Sequence, residues 1–258
     1  MSWLEIFSLW IAACAAGAVN AVAGGGTLIT FPVLILFGVP PVIANATNTL
    51  ALVSGMPGSL YGYRHHLGDV RPWLSTFVPV SIVGGVLGSY LLTHSSEHIF
   101  THLVPYLVLF ATVLFMLQGI LMGRIADRAR SSDINALGKP RLVAALFFQF
   151  LVSVYGGYFG AGIGILMLAA LGFIGFKDIH RMNTLKSVLG SLINLVAGLW
   201  FVASGLIDWP RMALMTAGAL AGYYIGSSYA QRLPQKAVRH LICAIGFVIS
   251  AVMFWKLR

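Results

Sequence analysis

Lys186 is the residue whose chemistry stands out first. It lies three positions after Asn183, at the head of a run without charge from Ser187 to Ile207. An ammonium inside such a run is costly unless it faces a cavity or a partner, although a long side chain near a helix end also snorkels to the interface. An anion is the ligand such a cation suits. Asn48 and Asn183 each follow a glycine run, Gly24-Gly25-Gly26 in one case and Gly160-Ala161-Gly162-Ile163-Gly164 in the other. Glycine lets backbone N–H groups approach a ligand with no Cβ between, and the N-terminal end of a half-helix favours negative charge. Asn20, one turn before Gly24, and Arg181, a turn or so before Lys186, extend the set. The candidate anion site is therefore Asn20, Gly24, Gly25, Gly26, Asn48, Gly160, Gly162, Arg181, Asn183 and Lys186. Each also has a plainer role: buried amides bond between helices, and Arg181 is a loop charge. The glycines are no nucleotide fingerprint, because that needs a preceding strand. No Ser-His-Asp or paired-carboxylate arrangement is visible, so no enzyme is expected. His94, His98 and His102 recur at four-residue spacing, which places them on one helix face. No acidic or thiol partner recurs beside them, and neither a metal nor any other cofactor is expected.

The elements that must position these residues are set by composition. Of 258 residues, 59% are apolar and 9% charged, with 29 glycines and a mean hydropathy of +0.89. A soluble domain carries about 25% charged residues, so a soluble fold is excluded. Barrel strands alternate polar and apolar residues, and these runs do not. Cys14 and Cys243 each sit in an apolar run and read as small hydrophobes. The formal charge of +9 points to cytoplasmic loops facing anionic lipid rather than to nucleic acid. No cleaved signal peptide is evident before the first apolar run at Trp3.

The gaps between charges divide the chain. Ile6 to Tyr63 contains no charged residue or histidine, and one span needs about 20 residues. Glycine and proline break this gap at Gly24–Gly26, Pro32, Gly38 and Pro40-Pro41. Leu142 to Phe176 is broken likewise at Gly156-Gly157 and Gly160–Gly164. Ten segments result: 3–23, 27–38, 43–62, 72–93 and 102–122, then 142–158, 163–176, 183–206, 210–231 and 239–257. Segments 27–38 and 163–176 are too short for a comfortable span, so the number of crossings is eight to ten. Tryptophans 3, 73, 200, 209 and 255 fall near span ends, as interfacial belt residues do. Asp69 and Asp208 stand at matched boundaries, where helix capping explains both.

The halves resemble each other. Gly24–Gly26 matches Gly160–Gly164, Asn48-Thr49-Leu50 matches Asn183-Thr184-Leu185, and Gly84-x-x-x-Gly88-Ser89 matches Gly222-x-x-x-Gly226-Ser227, in the same order. Residues 124–141, with five Lys or Arg, separate repeat 1–123 from repeat 142–258 as a cytoplasmic basic linker. With ten crossings, corresponding loops carry opposite basic bias, which favours two inverted repeats of about five segments. Arg211 and the terminal Lys256 and Arg258 fall outside, against the positive-inside rule. The fold class is an all-α integral membrane bundle, and broken segments at matched positions point to a transporter site near mid-depth.

The run Gly24-Gly25-Gly26-Thr27, then Phe31-Pro32, Gly38-Val39-Pro40-Pro41 and Ala46-Thr47-Asn48, resembles the first-half signature of the sulfite exporter TauE/SafE family. The second half repeats it in weaker form: Ala161 and Ile163 interrupt the glycines, no proline follows, and Thr49 stands where some members carry a basic residue. The resemblance implies a permease in a bacterial cytoplasmic (inner) membrane that moves a small anion, sulfite or an organosulfonate. Coupling to protons stays open, as do a homodimer, an uncoupled channel-like facilitator, and a non-catalytic membrane subunit of a larger assembly. The lipid bilayer and the anion are the expected partners.

Overall fold

The computed structural model describes residues 1–22, 25–54, 67–128, 139–174, 179–229 and 235–256. Gly24, Arg64-His65-His66 and most of the basic linker lie outside them, as does the side chain of Asp69. The described residues form ten helices: α1 Trp3–Val22, α2 Thr27–Leu36, α3 Pro41–Val53, α4 Leu67–His94, α5 Glu97–Arg128, α6 Lys139–Tyr158, α7 Ile163–Ile174, α8 Ile179–Ala203, α9 Trp209–Tyr229 and α10 Gln235–Lys256. Five of them contain stretches long and apolar enough to cross a membrane: Trp3–Asn20, Val70–His94, Glu97–Leu117, Lys139–Tyr158 and Arg181–Ala203. Each of the ten segments expected from the charge gaps contains a helix, although segment 43–62 is described only through Ser54. The first basic residues of the linker lie inside α5, which continues through Arg128.

The two broken segments are short for a physical reason. Gly25 (φ +93°) precedes α2 and Gly162 (φ +78°) precedes α7, a backbone conformation that side chains with a Cβ rarely adopt. Helix α2, with 10 residues, ends at Leu36, and past Gly38 the Val39 N–H returns to Leu34 O at 3.1 Å. At 1.5 Å rise, α2 is about 15 Å long and cannot cross a core of about 30 Å.

Between helices in lipid, attraction comes from close van der Waals approach and a few hydrogen bonds, so small residues line the contacts. The small-xxx-small motifs do this here. A Cβ on Gly88 would stand 2.1 Å from Val154 O, and one on Gly222 1.9 Å from Cys14 O. Helix α1 thus packs most extensively on α9, and α4 on α6 and α8. These contacts also fix direction. Cys14 meets Gly222 and Ala18 meets Gly226, so α1 and α9 run parallel. Gly84 meets Ser153 and Gly88 meets Tyr158, so α4 and α6 also run parallel. Helices α5 and α10 run antiparallel: Gly246 lies against Thr112, and Ser250 Oγ donates to Pro105 O at 2.8 Å. Between α4 and α6, Gln149 Nε2 donates to Ser81 Oγ at 2.9 Å.

Arg211, expected from the sequence to fall outside against the positive-inside rule, is not a lone cation. Its guanidinium pairs with Glu5 (Nη2–Oε1 2.6 Å) and with Asp208. A cation held by two carboxylates adds no net positive charge to its loop. Asp208 also caps α9, accepting the Arg211 N–H at 3.2 Å, as expected of a boundary aspartate. Two other expectations are corrected. Trp73 is buried against Phe77, with ring centroids 5.8 Å apart, and is a core residue rather than part of an interfacial belt. His94 belongs to the last turn of α4 and stacks on Tyr90, whereas His98 and His102 lie on α5. The break at Ser95-Ser96 separates them, so the three histidines do not share one helix face.

Replacing Gly88 by valine forces Val154 aside in a closely packed interface, and overpacking costs roughly 1–3 kcal/mol. Gly88→Val is expected to lower the thermal unfolding midpoint in detergent by several degrees, whereas Gly68→Ala, which meets nothing within 4 Å, leaves it unchanged or raises it. Equal midpoints for the two variants would contradict the packing.

Candidate functional site

Each glycine break is held by a side chain from the helix before it. Asn20 on α1 accepts the Gly26 N–H at 2.8 Å, six residues on. Tyr155 on α6 donates its hydroxyl to Ala161 O at 2.7 Å, also six residues on. Without such bonds, non-helical backbone within an apolar bilayer leaves groups unsatisfied. Asn20 therefore has a defined structural task in addition to its expected place in the site. Gly26 has no room for a side chain, since a Cβ would stand 2.6 Å from Ala16 O.

The first turn of α2 meets α3 through two side chains. The Thr30 hydroxyl lies 3.2 Å from Gly26 O and also donates to Asn48 Oδ1. Asn48 is fully buried, and its Nδ2 has no hydrogen-bond partner among the described residues. A buried amide donor left unpaired costs about 1–3 kcal/mol. One turn earlier on α3, Asn45 Nδ2 donates to Tyr158 O at 3.1 Å, while its Oδ1 is also unpaired among the described residues. Asn45 thus ties the first half to the residues that lead into the second glycine break.

In the second half, Lys186 lies along the head of α7. Its Cδ and Cγ stand 3.2 and 3.4 Å from where a Gly164 Cβ would be. A side chain at Gly164 would press on that stem, which would have to shift by a few tenths of an ångström. Asn194, two turns further along α8, points its Oδ1 toward Gly160, 3.4 Å from the ideal Cβ position. Asn183 and Arg181 occupy the first turns of α8, and both are partly exposed.

The two breaks approach one another. A Cβ on Gly25 would contact the Phe115 ring at 2.8 Å, and one on Gly162 would lie 3.8 Å from Ala111. Ala111 and Phe115 are one turn apart on α5, so both breaks lean on one stretch of one helix. Phe31 on α2 meets Phe159, the residue before Gly160, edge to face at 5.3 Å. One hydrophobic cluster includes Leu28, Phe31, Ala111, Phe115, Phe159, Ala161 and Ile165.

Gly25, Gly26, Asn48, Asn20, Gly160 and Gly162 are therefore brought to neighbouring positions. Lys186 joins them from the side of Gly164. Arg181 and Asn183 stand in the first turns of α8, and Gly24 lies outside the described residues. Thr30, Asn45 and Tyr155 were not singled out as site residues from the sequence. Thr30 stands one turn after Gly26, and Tyr155 repeats the six-residue interval of Asn20, so spacing carried a signal for both.

Comparison with known proteins agrees with this architecture. The family model described as sulfite exporter TauE/SafE matches residues 9–253. A probable membrane transporter protein of Haemophilus influenzae is 28% identical over 92% of this chain and 89% of its own length. The probable membrane transporter protein YfcA of Escherichia coli K12 is 26% identical over 96% of the chain and 88% of its own length. ORF9 of a Sinorhizobium species, likewise named a probable membrane transporter protein, is 27% identical over 94% and 89%. No solved structure matches the chain. With the match running through nearly every helix and both glycine breaks, the chain belongs to the TauE/SafE sulfite exporter family of membrane transporters.

Proposed function

We propose that the chain is a secondary transporter that moves a small anion, sulfite or an organosulfonate, across a bacterial cytoplasmic membrane. Its site would lie where the two glycine breaks meet. The observation that carries this is Asn48 Nδ2, a buried donor with no partner among the described residues, beside the first turn of α2. The N-terminal ends of α2 and α7 add partial positive charge, and Lys186 adds a full one. Gly25 and Gly160 are partly exposed and leave backbone accessible beside the buried Gly26 and Gly162, and Asn183 and Arg181 would complete the polar lining. A pyramidal or tetrahedral oxyanion suits such a ring of donors.

The same proposal includes two inverted repeats, supported by how helices pair. Matching α1–α5 with α6–α10 in order exchanges the parallel pair α1·α9 with the parallel pair α6·α4. It leaves α5·α10 matched with itself, and that pair is antiparallel. A two-fold axis along the helices would make a self-matched pair parallel, whereas an axis in the membrane plane makes it antiparallel. Helices α3 and α8 behave likewise: Gly198 lies against Leu50, and Thr47 accepts the Asp208 N–H at 3.0 Å beyond the end of α8. An axis in the plane brings both broken segments to mid-depth.

Sulfite flux into proteoliposomes tests the site. A hydrogen bond to a charged group contributes about 1.5–3 kcal/mol, so Asn48→Ala is expected to raise the half-saturating concentration about 10–100-fold. Lys186→Gln should reduce flux at least as much. Wild-type rate and saturation in both variants would remove the site, and flux that never saturates would favour a channel-like facilitator instead. Reporter fusions should place the basic linker in the cytoplasm and the C-terminus outside. Both ends cytoplasmic would leave an even number of crossings in the second half and end the inverted-repeat reading.

A further inference from the structure

We propose that Lys186 carries the coupling proton: its ammonium holds the anion at the head of α7 and loses its proton when the anion leaves, so that proton and anion cross together. This rests on the anion-transport reading above and goes further by naming the group that couples.

The described acids stand away from the glycine breaks. The chain has seven: Glu5, Asp69, Glu97, Asp127, Asp133, Asp178 and Asp208. Glu5 and Asp208 are taken up by Arg211, at the starts of α1 and α9. Glu97 is exposed in the first turn of α5. Asp69 is the third residue of α4 and Asp127 the second-last of α5, and Asp133 and Asp178 lie outside the described residues. Among the described residues, no acid stands inside a helix near the glycine breaks.

Lys186 does. Helices α3, α4, α6 and α7 pack against α8. No titratable residue occurs in α3 or α7. Helix α6 brings Lys139 and Arg141 in its first turn and Tyr155 and Tyr158 near its end. Helix α4 brings Asp69 and Arg71 at its start and Tyr90 and His94 at its end. Helix α8 itself carries His180 and Arg181. Ile193 on α8 lies against Gly85 on α4, which sets Lys186 level with about Val78. Asp69 is then about 13 Å away along the helix at 1.5 Å per residue. Lys186 has no carboxylate partner among the described residues.

An unpaired ammonium in an apolar surrounding is unfavourable, and so is an unpaired anion. Together they are neutral. When the anion departs on one side, the remaining ammonium passes its proton to water there, and the neutral amine returns. On the other side the amine takes a proton from water and then an anion. No bond other than N–H breaks, and one proton accompanies each monoanion. Arginine holds its charge under all these conditions and cannot complete the cycle.

The test uses full-length protein in proteoliposomes, with internal pyranine to read protons. Methanesulfonate, whose single charge does not titrate in this range, and sulfite serve as probes. Wild type is expected to move one proton per methanesulfonate and to accumulate it under an imposed pH gradient. In Lys186→Arg, the ratio of gradient-driven accumulation to anion exchange should fall at least tenfold; in Lys186→Gln, both fall. A Lys186→Arg protein with the wild-type ratio, or wild-type transport without proton movement, would overturn the coupling role while leaving the site intact. Failure of both probes to move would remove the transport reading itself. Size-exclusion profiles of each variant confirm folding, and Lys186→Gln supplies the second arm if the arginine variant aggregates.

Discussion

Everything in this structure depends on what a bilayer does to an interrupted helix. Water cannot reach the backbone groups that a break exposes, so protein must satisfy them or a ligand must. Two breaks, before α2 and before α7, set that problem twice. Asn20 and Tyr155 answer it from the same interval before each break, six residues to the group they bond. Thr30 and Asn45 add the contacts that lock α2, α3 and the end of α6 together. What those side chains leave unsatisfied, chiefly the Asn48 amide, is the polarity a ligand would use.

The helices that do not break serve as the frame. Glycines at Gly84, Gly88, Gly157, Gly218, Gly222 and Gly226 bring α1 against α9 and α4 against α6 at backbone distance. These pairs each take one helix from either half, so neither half is closed by itself. Helix α5 gives the two breaks a shared wall at Ala111 and Phe115. The ion group Glu5–Arg211–Asp208 fastens the starts of α1 and α9 and reaches α3 through Thr47.

Much of this was legible in the sequence because composition and glycine spacing are local signals. The ten segments follow from charge gaps, and both short helices follow from the glycine clusters that precede them. The packing face of Gly222-x-x-x-Gly226 is read from four-residue spacing alone. Contacts over long separations were not legible. Nothing near Glu5 announces Arg211, 206 residues away, and Trp73 has the sequence setting of a belt residue although α4 turns it inward onto Phe77. The histidines misled because a regular interval continued across Ser95-Ser96, where the helix stops. Asn48 was legible as a candidate through its match with Asn183, but its unpaired donor depends on where Thr30 sits.

The central claim is that one anion site forms where the two breaks meet. A cryo-electron microscopy map of the protein with sulfite tests it most directly. The account predicts density for the anion within hydrogen-bonding reach of Asn48 Nδ2 or the Lys186 amine, bounded by Gly25 and Gly162. Density for the anion at another place, with the surroundings of both side chains unchanged, would contradict it.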